Sequence, residues 1–161
     1  MDIKGFIEQS ITDALTAYPD LFLLKSSYNE SQGKYTFIVD GIEGFTIQQC
    51  GKISRYVMKQ IEENEAMEEA RSTFSFEIAS PGAESPLEDY RQYPKHIGRT
   101  VEVNKNDDSV VRGKLTYSDQ NGIQLTQIIP SKVKGRRDKE GENIALMFNE
   151  IKESKIILSF N

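Results

Sequence analysis

The chain has 161 residues, and 20 Lys and Arg against 25 Asp and Glu leave a net charge of −5. That length suits one ordinary domain or two small ones and excludes a large enzyme scaffold. The acidic balance excludes whole-chain attraction to nucleic acid or to an anionic membrane, so any such binding has to be local.

Ile3, Phe6, Ile7, Ile11, Ala14 and Leu15 recur at helical spacing and predict a first helix over about residues 3–17, ended by Pro19. Leu21 to Tyr28 and Lys34 to Asp40, separated by the turn-forming stretch from Asn29 to Gly33, predict an antiparallel hairpin with Tyr35, Phe37 and Val39 on one face. Thr46 and Gln49 have the form of a capping box. Ile47, Cys50, Ile53, Val57 and Ile61 then predict a second helix over about 46–65, with Cys50 as a packed core thiol. Alternation over Thr73–Ile78 predicts a third strand whose Phe74, Phe76 and Ile78 face the helices. This half reads αββαβ, a two-layer sandwich.

Two prolines and a glycine between Ser80 and Leu87 break the pattern and predict a junction between domains 1–83 and 84–161. Beyond it the helix signal vanishes. Thr100–Val103, Val110–Tyr117, Ile123–Ile129, Asn143–Phe148 and Lys155–Phe160 read as strands, with a tight turn at Gln120-Asn121-Gly122 and one helical turn over 149–153. Five short strands in so few residues predict an SH3-like or Sm-like five-stranded β-barrel, so the fold class is α+β. The charge divides unevenly: net −6 up to Ala83 and +1 after it, which assigns an anionic partner to the second domain.

Chemistry is sparse. One cysteine, Cys50, and one histidine, His96, exclude an intramolecular disulfide and a Cys/His zinc site, and a reducing cytoplasm is the expected home. No signal peptide or membrane anchor is expected, because no apolar run approaches the ~18 residues a spanning helix needs. His96 in its loop reads as structural, Asp107-Asp108 as a turn, and Gly41-Ile42-Glu43-Gly44 as a strand-to-helix connection. Lys132, Lys134, Arg136, Arg137 and Lys139 put five cations around a single Asp138 in what reads as a hairpin tip, the candidate contact for RNA. No stacking aromatic is interleaved among them.

The segment Phe76-Glu77-Ile78-Ala79-Ser80-Pro81-Gly82-Ala83-Glu84-Ser85-Pro86-Leu87 resembles the signature of the bacterial ribosome maturation factor RimP family, a hydrophobic strand followed by S-S-P-G-L-D-R-P-L. Asp40, Gly44-Phe45-Thr46-Ile47, Cys50 and Ile53-Ser54-Arg55 are similar in order to the family's D-x-x-x-G-V-T-L-D-D-C-x-x-x-S-R stretch. Ile97 to Val103 and Gly113-Lys114-Leu115 resemble the opening strands of its barrel. The chain departs at Gln48-Gln49, where the family carries an acidic pair, at Ser85, where it carries Arg, and in a longer basic loop.

The resemblance implies a two-domain, non-catalytic assembly factor without cofactor or metal. It would be cytoplasmic and monomeric, acting in maturation of the small (30S) ribosomal subunit. The implied partners are the free small subunit, its ribosomal RNA and its ribosomal protein number twelve. Ser80, Pro81, Gly82, Pro86 and Leu87 would then form the interdomain joint, with Gly82 permitting its tight turn. The rival reading is a stand-alone Sm-type RNA-binding regulator, which leaves the first domain idle.

Overall fold

The computed structural model describes residues 2–129, 131, 135 and 139–158. The chain divides into two compact units, Met1–Pro81 and Gly82–Asn161.

The first unit begins with α1 (Ile3–Leu15), whose Asp2 N-cap carboxylate accepts from the Gly5 amide at 3.0 Å. The helix stops at Leu15, two residues before the expected end. β1 (Leu21–Asn29) and β2 (Lys34–Gly41) pair antiparallel from Leu21↔Gly41 to Asn29↔Lys34, with a bulge between Leu23 and Lys25. α2 (Ile47–Glu63) starts at the capping box read from sequence: Gln49 N donates to Thr46 Oγ1 at 3.1 Å, and Thr46 N donates to Gln49 Oε1 at 2.9 Å. It carries the chain over the sheet to β3 (Ser75–Ala79), which pairs parallel to β2. A parallel pair needs such a crossover, so β2 becomes the central strand of the order β1-β2-β3. Ile7, Ile11, Phe37, Val39, Ile53, Val57, Ile61 and Met67 fill the space between helices and sheet. Ile47 departs from the sequence reading: it is 90% exposed, and at 100° per residue it falls well to one side of the face set by buried Ile53, Val57 and Ile61.

The second unit opens with an irregular stretch holding single 3-10 turns at Tyr90–Gln92 and Pro94–His96. β4 (Thr100–Lys105), β5 (Val110–Ser118), β6 (Gly122–Ile129), β7 (Lys139–Met147) and β8 (Ile151–Ile156) form one antiparallel sheet in the order β7-β6-β5-β4-β8. Val101, Val103, Leu115, Ile123, Leu125, Leu146 and Ile156 point to its interior. The connection from β7 to β8 is the 3-10 turn Phe148–Glu150. Four residue steps span at most about 14 Å, whereas the outer strands of a flat five-stranded sheet lie about 19 Å apart, so the sheet has to curl. The expected closed barrel is nevertheless not formed, because β7 and β8 do not pair and the five-stranded sheet stays open at that seam.

The largest departures from the expected boundaries lie at the end of this unit. β7 begins at Lys139 rather than Asn143, the helical turn sits over 148–150, and β8 runs Ile151–Ile156 rather than from Lys155. The sequence pattern misleads here because β8 alternates around polar residues, Lys152, Ser154 and Lys155, and Ser154 is buried.

Candidate functional site

Between Pro81 and Leu87 the backbone makes a tight turn in which Ser85 N donates to the Gly82 carbonyl at 3.0 Å. Ala83 and Glu84 form its corner. Gly82 is not among the glycines with left-handed φ, which are Gly33, Gly44, Gly98 and Gly135, and a Cβ there would meet only Ser85 Oγ at 3.1 Å. The turn expected at Gly82 exists, but its backbone conformation does not demand glycine. Leu87 N then donates to the Ser154 carbonyl of β8 at 2.8 Å, and Leu87 packs against the core of the second unit.

The stretch after Leu87 is held by its own polar side chains. Gln92 is buried, and its Oε1 accepts from the Glu88 amide at 2.7 Å and the Asp89 amide at 3.0 Å. Asp89 accepts from Arg91 N at 2.9 Å and takes two guanidinium contacts, Nε and Nη2, each at 2.9 Å. That side-chain hydrogen bonding from Arg91 is the main reason the Asp89 carboxyl lies below the usual carboxylate range. Tyr93 turns inward, its ring tilted against Phe148 with centroids 5.2 Å apart.

These residues form one wall of a groove of about 1020 Å³ within the second unit. Its apolar lining comes from Leu87, Tyr90, Tyr93, Phe148 and Ile151. Its charged lining comes from Glu88, Asp89, Asp108 and Glu153, with Lys152 against them. Lys152 Nζ lies 3.4 Å from Asp108 Oδ1, an exposed pair that contributes little by itself. A groove of this composition suits an extended segment that offers apolar side chains flanked by positive charge. Sequence reading missed it, although Tyr90 and Tyr93, closely spaced just before Pro94, were the available signal.

Of the basic residues read from sequence as a candidate RNA contact, only Lys139 is described. Lys132, Lys134, Arg136 and Arg137 lie outside the described residues. Lys139 is exposed but belongs to β7, opposite Ile129, rather than to a hairpin tip. Cys50 is half-buried on α2, and its thiol donates to the Ile78 carbonyl of β3 at 3.1 Å, a packing role. His96 closes the 3-10 turn after Pro94, with Nδ1 3.4 Å from Arg99 Nη1. Asp107 accepts from the Ser109 amide at 2.9 Å, and Asp108 takes a left-handed φ of 68°, the turn chemistry expected of them. No group of three or more His, Cys, Asp and Glu among the described residues could hold a metal ion. No helix there is long and apolar enough to cross a membrane.

Fold and groove together define a two-unit α+β protein with an open, partly apolar groove in its second unit. The family model described as the RimP N-terminal domain matches residues 16–84. Over 161 residues the chain is 29% identical to the ribosome maturation factor RimP of Flavobacterium psychrophilum, covering 99% of this chain and 100% of that protein. It is 32% identical to the RimP of Cytophaga hutchinsonii, covering 96% and 95% of the two, and 32% identical to that of Christiangramia forsetii, covering 98% and 99%. The chain belongs to the RimP family of ribosome maturation factors.

Proposed function

We propose that this protein is a non-catalytic assembly factor that binds the free small ribosomal subunit in the cytoplasm and promotes its maturation. The observation that carries this reading is the end-to-end similarity to proteins named ribosome maturation factors. Binding energy favours one conformation of the immature subunit and is lost once assembly completes, so no turnover chemistry is needed. The two units act as two domains, with Ser80, Pro81, Gly82, Pro86 and Leu87 as the joint between them. Lys132, Lys134, Arg136, Arg137 and Lys139 contribute anionic contact with ribosomal RNA. The acidic and apolar groove beside Tyr93 supports a protein contact as well, since ribosomal proteins that neutralise RNA carry excess Lys and Arg; ribosomal protein number twelve is the partner assigned to it.

Co-sedimentation of the tagged chain with cell extract through gradients at controlled salt tests the reading. Enrichment on free small subunits, and not on large subunits or whole ribosomes, is expected. Absence from all three at low salt sinks it. Replacing the five cations by Ala should flatten the salt dependence of that association, and an unchanged slope removes the basic loop from the contact.

A further inference from the structure

The first unit carries net −6, yet its cations are not spread evenly. From Gly44 to Ile61 there is no Asp or Glu, and this stretch holds Lys52, Arg55 and Lys59, three of the seven basic residues up to Ala83. Most of it is α2, whose inward face is fixed by buried Ile53, Val57 and Ile61. At 100° per residue, Lys52, Arg55 and Lys59 fall on the side of the helix away from that face, and all three are exposed. Neither Lys52 nor Arg55 has a carboxylate within ion-pair distance among the described residues, and Lys59 has only Glu63 at 4.0 Å. Elsewhere in the unit, Lys4 pairs with Glu8 and Lys34 with Glu77.

Two further features shape the stripe. The Arg55 guanidinium lies back over Gly51, where a Cβ would stand 3.2 Å from Nη1, so its charge is held toward the N-terminal half of α2 beside Lys52. Tyr56, 38% exposed, stands one turn after Lys52 and nearly one turn before Lys59, so its ring is bordered by both ammonium groups. The stripe from Lys52 to Lys59 is about 10 Å long, and neighbouring cations about 5–6 Å apart can meet successive phosphates of one strand. Cations around an exposed aromatic are what binding to single-stranded nucleic acid requires: charge for the backbone and a ring for a base.

We infer that the outward face of α2, through Lys52, Arg55, Tyr56 and Lys59, is a contact surface for single-stranded RNA. The inference rests on the ribosomal reading for its choice of nucleic acid, and it places an RNA contact on the unit whose overall charge argues against one. Uniform net charge governs long-range attraction, whereas contact is decided within about a Debye length of 8–10 Å, a distance the stripe fills with positive charge.

The test is fluorescence anisotropy of a labelled single-stranded oligoribonucleotide of about 12 nucleotides with the full chain over a salt series. The double variant Lys52→Gln, Arg55→Gln keeps helix-forming side chains, and Lys4→Ala serves as a control on α1. The double variant should bind at least about tenfold more weakly at low salt, with the slope of log affinity against log salt reduced by about 1.4. Tyr56→Ala should weaken binding about fivefold or more with the slope unchanged. Unchanged affinity and slope in the double variant overturn the inference, as does an unaltered chain that binds no RNA at low salt. Equal displacement by poly-glutamate also overturns it, in favour of an acidic protein surface. A chain that gives any of these results yet still co-sediments with free small subunits leaves the ribosomal reading standing.

Discussion

Tyr93 and Ser154 meet inside the second unit, where their hydroxyl groups are hydrogen-bonded to one another and the residues are only 3% and 1% exposed. Burial pushes the Tyr93 phenol above its ordinary pKa, and the bond to Ser154 opposes that rise. The contact joins the 3-10 segment after Leu87 to the edge strand β8. Tyr93→Phe and Ser154→Ala should each cost about 1–3 kcal/mol, because each strands a buried hydroxyl. The double variant should cost less than the two together, and urea unfolding of all four proteins measures the difference. Strictly additive losses would show that the two hydroxyls do not depend on each other.

Asp89 makes the stability of that segment depend on pH. Its folded pKa is depressed, with the Arg91 hydrogen bond the first cause, so its contribution is present above the ordinary aspartate value of about 3.9 and is lost as pH falls through the lower folded value. Asp89→Asn should cost about 1 kcal/mol at neutral pH after allowance for solvent screening. The gap between variant and parent should narrow once pH drops below about 3.9 and close as pH falls past the lower folded value. Thermal unfolding from pH 7 to pH 2.5 checks this, and a gap that persists at the acid end contradicts it.

Gly122 and Gly82 should differ in how far they tolerate a methyl group. A Cβ on Gly122 would run into the Leu146 carbonyl oxygen of β7, a backbone atom that cannot move without breaking the strand pairing Gly122↔Met147. Gly122→Ala should destabilise by about 1–3 kcal/mol. Gly82→Ala should stay within about 0.5 kcal/mol, since only the rotatable Ser85 hydroxyl is near. Denaturant midpoints compare the two, and a larger loss at Gly82 would restore the special role that its place in the Pro-Gly signature suggests.

Ile47 and Ile53 belong to one apolar stripe in sequence and to different environments in the fold. Ile53→Ala should cost about 2–5 kcal/mol through the cavity it leaves in the buried core of the first unit. Ile47→Gln should leave stability within about 0.5 kcal/mol. Loss of small-subunit association by Ile47→Gln at unchanged stability would mark that exposed side chain as a contact.

Local rules made much of the chain legible. The helical spacing of Ile7, Ile11, Ile53, Val57 and Ile61, the Thr46–Gln49 capping box and the alternation of Phe74, Phe76 and Ile78 each act over a few residues, and each reappears in the structure. The Pro-Gly motif around Pro81 is legible for the same reason, and it is what pointed to the family. The groove was not, because Leu87, Tyr93, Asp108, Phe148 and Glu153 are far apart in sequence and have no common period.

The sequence by itself determined the element types, the change from mixed to all-β texture near Pro81 and the charge carried by each half, since all of these follow from neighbouring side chains and chain stiffness. Tertiary structure alone decided that the five-stranded sheet stays open between β7 and β8, that Ser154 is buried against Tyr93 and that Ile47 is left outside the core. It also turned Lys52, Arg55, Tyr56 and Lys59 outward as one face, because only packing against the sheet fixes which side of a helix remains for a partner.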